Sequence, residues 1–568
     1  MKNTNYLKIS PVALAASLLC LAGAAHAGEP VDLGNGLTLD WRVATTYTLA
    51  TRLRGPDPLL AKSSGGNDGD NNFKKGALTA NRLGALIDTK LSKGDSGFVL
   101  SGSIFYDDVY HKSNDNTGSV NKPGLVNEFT EDAKRFHGGY ARALDAYGYT
   151  AFEAGNLGRM TVRAGRHAVS WGEGLFFPGI SLAQGPADGT KTGIPGTETK
   201  DQLLPEDQIS ATLELTPRLT LLAHAQYDWH PTLAAAPGSF LSTSDGVGPG
   251  GSCLGPYTKI PVVPTLFAGF SGCSFGVRGA DITPGGGMGQ WGVGSRYRVT
   301  DTTEVGLYFM NYHDRTPLPE INAFTPGTPI PAALQPAFGG ITQIGNGSYN
   351  IRYFDDIKLM GASFNTTLGS VAVAGEISYK DGAPVLVDTV VDPTTGRAFP
   401  TPTRASITQA NLNAFANLGR TPIAGSVLLL GEVSVVQVSD VQARKAPGVE
   451  NLGPAAAFFP TSNKLSFGDK TAVAISGQVV LGYPGIFEGW DLSVPISVSK
   501  QLQGRSILGG VGGEGDTRYS VGATFTKGGN FAVTLNYLGY LGSPSLDLLT
   551  FRPLTDRDQL SLVMKYAF

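Results

Sequence analysis

Charge is what this chain has least of. Asp, Glu, Lys and Arg make up 16% of its 568 residues, where soluble globular proteins carry about 25%. The gap is not filled by a larger apolar core, because hydrophobic residues reach only 41%. Much of it is filled by glycine, whose 76 copies are roughly twice the usual ~7%. Basic tracts are also missing, which excludes a surface built to neutralise phosphates and leaves nucleic acid out as a partner. Beyond residue 27 no stretch of 18 uncharged apolar residues occurs, so helical membrane spans are excluded. Cysteine is reduced to three copies, and no His stands near Cys253 or Cys273 to suggest a metal or redox site.

The first 27 residues account for themselves. Lys2 and Lys8 frame a polar start, residues 9–24 are apolar, and Ala25-His26-Ala27 is a small-x-small cleavage site, the pattern of a secretory signal peptide. Cys20 is preceded by the bulky Leu19, which argues against lipidation. Cleavage after Ala27 removes Lys2, Lys8 and Cys20 and leaves a net charge near −5. Cys253 and Cys273 then remain. Export puts them in an oxidising compartment, and a disulfide closing a loop of about 20 residues contributes about 3 kcal/mol in the chain-entropy account.

What the mature chain has in quantity is period-two alternation. Leu37, Leu39, Trp41, Val43, Tyr47 and Leu49 fall on one face of a strand, with Thr38, Asp40, Arg42, Thr46 and Thr48 on the other. Trp291, Val293, Tyr297 and Val299 oppose Gly292, Gly294, Arg296 and Arg298. The chain ends in Leu560, Leu562, Met564, Tyr566 and Phe568, interleaved with polar or small residues. In lipid no backbone N–H or C=O can stay unpaired, so spanning strands must close on themselves. The expected fold is therefore all-β: a transmembrane antiparallel β-barrel of about 14–18 strands, at roughly ten residues per tilted strand. Alternation places strands at 37–52, 81–91, 97–110, 160–171, 208–215, 219–229, 291–299, 304–312, 358–367, 370–379, 425–438, 473–481, 519–526, 530–540 and 559–568. Stretches 65–75, 231–289, 316–347 and 381–404 are expected as extracellular loops. Trp41, Tyr47, Tyr566 and Phe568 are expected in the aromatic girdles at the headgroup level. Residues 1–27 are the signal peptide and 28–568 one outer-membrane barrel, with lipids and lipopolysaccharide as its surroundings.

One stretch fits neither strand nor surface loop. Trp171, Phe176 and Phe177 crowd among Gly172, Gly174, Pro178 and Gly179, and the irregular run continues to Leu204-Pro205-Glu206. Such rings are better covered than exposed, and irregular backbone at membrane depth is tolerated where it lines a cavity. Residues 172–206 are therefore expected to fold into the lumen as a constriction or plug; the competing reading is a capped surface loop. By strand parity Arg163, Arg296 and Arg298 face the lumen, where with Glu173 and Glu206 they set a transverse field for solutes or make a solvated, internally paired wall.

The terminal strand with its C-terminal Phe568 resembles the recognition signal read by the barrel assembly machinery. Gly165-Arg166-His167-Ala168-Val169-Ser170-Trp171-Gly172-Glu173, Phe176-Phe177-Pro178-Gly179-Ile180 and Leu203-Leu204-Pro205-Glu206 together resemble the bacterial domain-of-unknown-function family 1302, over essentially the whole mature chain. That resemblance implies an outer-membrane barrel of unproven function, accompanied by a periplasmic partner protein and by genes for degrading hydrophobic or aromatic compounds. It is distantly similar to long-chain fatty acid transporters. The family's usual Ser after Trp-Gly-Glu is here Gly174.

Enzyme motifs fail on context. Gly94-Asp95-Ser96-Gly97 sits in a tight turn with no His/Asp constellation, and Gly510-x-Gly512-x-x-Gly515 opens no helix. His167 and Ser170, three apart on a strand, point to opposite faces. No metal or cofactor is called for, and the acidic stretch 67–72 misses calcium-loop spacing and is expected to be solvated. The expected role is a channel or transporter for small hydrophobic or amphipathic solutes. A general porin-like diffusion channel, or an adhesin or scaffold acting through its long loops, are the alternatives.

Overall fold

The computed structural model describes residues 28–568 except 119, 256–272, 274–275, 287, 325–327, 330–331, 333–342, 345–346 and 509. The signal-peptide segment lies outside the described residues. Eighteen strands hydrogen-bond in sequence order: β1 (Leu37–Arg52), β2 (Leu78–Lys93), β3 (Ser96–Asp107), β4 (Gly139–Glu153), β5 (Arg159–His167), β6 (Glu206–Thr216), β7 (Leu219–Gln226), β8 (Gln290–Arg298), β9 (Thr303–Tyr312), β10 (Ile357–Leu368), β11 (Val371–Asp392), β12 (Arg397–Gly419), β13 (Ser426–Ser439), β14 (Thr471–Phe487), β15 (Trp490–Gln503), β16 (Thr517–Lys527), β17 (Phe531–Leu541) and β18 (Gln559–Ala567). β1 pairs antiparallel with β18, from Ala44 opposite Ala567 to Arg52 opposite Gln559. The sheet is thus a closed antiparallel barrel, and closure leaves no edge for lipid to meet. Among the described residues no helix is long and apolar enough to cross a membrane.

The wall is inside-out relative to a soluble protein. On β11, Ile377 is 51% exposed while its neighbours Glu376, Ser378 and Lys380 are buried. On β12, Leu412 is 48% exposed between buried Asn411 and Asn413. The apolar set faces outward and the polar set inward, as a strand in hydrocarbon around a hydrated lumen requires. One rim carries an aromatic cluster. Tyr566 and Phe568 stand 4.6 Å apart and Phe531 lies 6.4 Å from Tyr566, and the Phe568 amide donates to the Val43 carbonyl. Trp41 lies two residues beyond Val43 on the outward parity. Tyr47 is further along the wall, its hydroxyl on Asn81 Oδ1 at 2.9 Å.

Several expectations are corrected. Three strands were not expected: β4, β12 and β15. The strand expected over 160–171 stops at His167, after which the chain leaves the wall. Residues 381–404 are not a loop; β11 and β12 run on as a paired hairpin from Ala383 opposite Ala405 to Asp392 opposite Arg397. The stretch 67–72 is not solvated: Asp68 and Asp70 are buried in the short helix Asp68–Asn71. Asp70 there meets Arg557 Nε at 2.7 Å and Arg52 at 3.1 Å. These buried groups, with Phe73, Tyr110, Phe129 and Phe240, knit the loops at the end opposite the aromatic rim into a packed cap. Cys253 and Cys273 form a disulfide, Cα–Cα 5.3 Å, and the short strand Cys253–Leu254 pairs with Gly276–Arg278.

Candidate functional site

Between β5 and β6 residues 168–205 turn inward and bond to opposite walls of the barrel. On one side the grip comes from two carboxylates. Glu376 of β11 accepts hydrogen bonds from the Glu173 amide at 2.7 Å and the Ile180 amide at 3.2 Å. Glu432 of β13 accepts from the amides of Leu175 at 3.2 Å, Phe176, and Phe177 at 3.0 Å. Asn411 and Asn413 of β12 donate to the carbonyls of Phe177 and Glu173, each at 2.6 Å. Five amides between Glu173 and Ile180 can share two anions only where the backbone turns sharply and approaches closely, which is what the glycines provide. Gly172 has φ +93°, and a Cβ there or at Gly179 would strike the Glu376 carboxylate. At Gly174, where the family resemblance calls for Ser, a Cβ would stand 2.7 Å from the Phe177 carbonyl.

On the opposite side the segment is held by charge. Glu198 pairs with Arg42 of β1 at 3.4 Å and with Lys565 of β18. Lys200 reaches Asp88 of β2 and, at 2.8 Å, Asp145 of β4. Asp188 takes Arg142 at 2.7 Å and the Tyr140 hydroxyl at 2.8 Å, and Thr48 Oγ1 donates to the Pro195 carbonyl at 3.0 Å. In an 18-stranded barrel β1 lies across from β10, so a chain fixed to β11–β13 at one end and to β1, β2, β4 and β18 at the other crosses the lumen.

The residues singled out from sequence are placed as follows. Trp171 is buried at 5% exposure, its ring 4.8 Å from His224 and 5.8 Å from Tyr308; with Phe177, also buried, it anchors the segment and does not face the passage. Phe176 is 37% and Leu175 52% exposed, and with Leu203 at 57% they leave apolar surface uncovered on the segment. Glu173 accepts from Asn365 Nδ2 at 3.2 Å and lies in the field of Arg296, which also touches the Tyr308 hydroxyl at 3.4 Å. Glu206 is fully buried, bonded to His230 Nδ1 at 3.0 Å and 3.5 Å from Arg315 Nε, away from the segment's tip. Arg163 lies on the inward row of β5, its guanidinium 5.9 Å from the Tyr147 ring. Arg298 is at the turn end of β8, in register with Glu304. Arg163 and Arg298 are thus on the lumen wall but are not brought to the segment.

Sequence reasoning missed the clamp, Glu376 and Glu432, and the cationic anchors Arg42, Lys200 and Lys565. One signal was available. Glu376 and Glu432 are buried carboxylates on the inward parity of their strands, where a charge is costly unless it has a partner. Among the described residues no cluster of three His, Cys, Asp or Glu side chains is arranged to hold a metal.

Solved structures align with the chain over nearly its whole length at low identity and low TM-score. The crystal structure of OccAB1 from Acinetobacter baumannii shares 10% identity over 96% of this chain and 99% of that one, at a TM-score of 0.42. OccK2 (OpdF) of Pseudomonas aeruginosa, in complex with glucuronate, shares 11% over 93% and 98%, at 0.38. OmpF of Salmonella typhi, in complex with daunomycin, shares 10% over 95% and 100%, at 0.35. No curated protein matches. A family profile matches residues 8–568, and on that match the chain belongs to the family described as "Protein of unknown function (DUF1302)".

Proposed function

We propose that this protein is an outer-membrane channel in which residues 168–205 form the constriction that selects small hydrophobic or amphipathic solutes. The observation that carries the reading is the crossing itself: a segment bonded to opposite walls divides the lumen at a fixed place. It keeps Leu175 and Phe176 uncovered beside a wall of Asn, Gln and charged side chains. A solute with an apolar body can lie on those two side chains while its polar end exchanges water for wall amides, the balance of one apolar surface and a few polar groups found in small-molecule sites. The anchoring charges are neutralised locally by backbone amides or by Arg and Lys, so the clamp adds rigidity without presenting bare carboxylates to the passage.

Liposome swelling with a graded set of solutes tests this reading. The wild-type protein should admit monocyclic aromatic acids and short amphipathic alcohols faster than sugars of equal size, and Phe176→Ala with Leu175→Ala should erase that preference. Equal rates for sugars and aromatic solutes in the wild type would sink it in favour of a general diffusion channel.

A further inference from the structure

The cap contains two buried carboxylates that form no salt bridge among the described residues, the positive charges nearest in effect being Lys122 for Asp68 and Arg557 for Asp245. Asp70 meets Arg52 and Arg557, but Asp68 and Asp245 make no ion pair among the described residues, although they are 1% and 2% exposed. They come from different loops, Asp68 from 53–77 and Asp245 from 227–289, and a third loop joins them through Asn121. Asp245 Oδ2 accepts from the amides of Asn67 at 2.9 Å and Asp68 at 3.2 Å and from Asn121 Nδ2 at 2.6 Å. Both Asp68 oxygens lie 3.2 Å from the Asn121 amide, and Asn67 Oδ1 accepts from Asn121 Nδ2 at 3.3 Å. Asp245 Oδ1, fully enclosed, has no hydrogen-bond partner among the described residues. The adjacent Lys122 directs its ammonium to the Leu125 carbonyl.

We propose that Asp68 and Asp245 bind a hard divalent cation, calcium or magnesium, that locks the three outer loops together. Two anions side by side out of water require a compensating positive charge, and the orphaned Oδ1 marks where it belongs. The donors are all oxygens: two carboxylates and the Asn67 amide oxygen, with water for the remaining positions. That set selects calcium or magnesium over zinc or copper, which prefer nitrogen and sulfur. The cation would do for the cap what the Cys253–Cys273 disulfide does within a single loop. It is independent of what passes through the lumen.

The test uses the full mature chain refolded in detergent without lipopolysaccharide, which itself binds divalent cations. Equilibrium dialysis against radioactive calcium, with magnesium as competitor, should find one ion per chain, lost in Asp245→Asn and in Asp68→Asn. Cleavage of the outer loops by a protease should slow about 100-fold when free calcium is 100 times its dissociation constant, as expected for a ligand bound only by the closed form. Absence of stoichiometric calcium or magnesium binding by the wild type overturns the proposal, whatever the variants do. So does a cap that resists protease equally in chelator and calcium but loosens on raising pH, the behaviour of a carboxyl pair sharing one proton.

Discussion

Replacing Glu432 by Gln keeps the shape of the side chain and removes its charge. In the wild type that carboxylate receives the amides of Leu175, Phe176 and Phe177. A hydrogen bond to a charged acceptor contributes about 1.5–3 kcal/mol net, and three on one group are not additive. The carboxamide retains one acceptor oxygen but turns an NH2 toward donors. The expected loss is about 2–4 kcal/mol of attachment, which at a factor of ten per 1.4 kcal/mol raises the population of released segment roughly 30- to 1,000-fold. The barrel wall is untouched, so folding, read by heat-modifiable migration on a gel, should be unchanged. Single-channel recording in a planar bilayer should show a larger conductance level that the wild type visits rarely and the variant visits often. A variant with the wild-type conductance, flicker and solute preference would refute the claim that this carboxylate holds the constriction shut.

Other outcomes follow from the same contacts. Gly179→Ala places a methyl group against the Glu376 carboxylate and should mimic Glu432→Gln in the bilayer assay; Gly369→Ala, in open space at φ +62°, should leave conductance alone. Arg557→Met strips Asp70 of its 2.7 Å partner in a buried site and should destabilise the cap by about 3–5 kcal/mol, seen as faster hydrogen exchange in 53–77, with most of the loss recovered in the double variant with Asp70→Asn. His230 is raised above its ordinary pKa chiefly by its hydrogen bond to Glu206. A raised histidine stabilises below its unfolded pKa of about 6.5, and the contribution fades as pH rises through the elevated folded value. Exchange of the His230 amide, bonded to Glu206 at 3.2 Å, should therefore accelerate across that window, and His230→Gln should flatten the profile.

Alternation made most of the wall legible, because lipid and lumen impose opposite demands on successive residues. It failed where those demands are met unusually. In β4 the inward residues are Tyr140, Arg142, Tyr147 and Tyr149 and the outward ones Ala146, Gly148 and Thr150, and a bulge opposite Leu100–Gly102 switches the parity midway. In β12 the outward row is largely Ala, so contrast with Gln409, Asn411 and Asn413 is weak. In β15 Pro495 argues against a central strand; the structure accommodates it where pairing with β16 lapses between Ser493–Thr524 and Ile496–Val521. The segment's departure from the strand pattern was legible from its own aromatics and glycines. Its clamp was not, because Glu432 follows Phe176 by 256 residues, and only the closed barrel brings them together. The burial of Asp70 was hidden for the same reason, since Arg557 lies 487 residues away.

The central claim, that residues 168–205 lie across the lumen, is tested most directly by labelling Leu175→Cys in the folded protein. The native cysteines are joined as Cys253–Cys273, so the new thiol is the one that reacts. A small water-soluble maleimide should modify it, because position 175 faces the passage, while a polyethylene-glycol maleimide too wide to enter the barrel should modify it only after unfolding. Equal labelling of the folded protein by both reagents would place the segment outside the lumen and contradict the account.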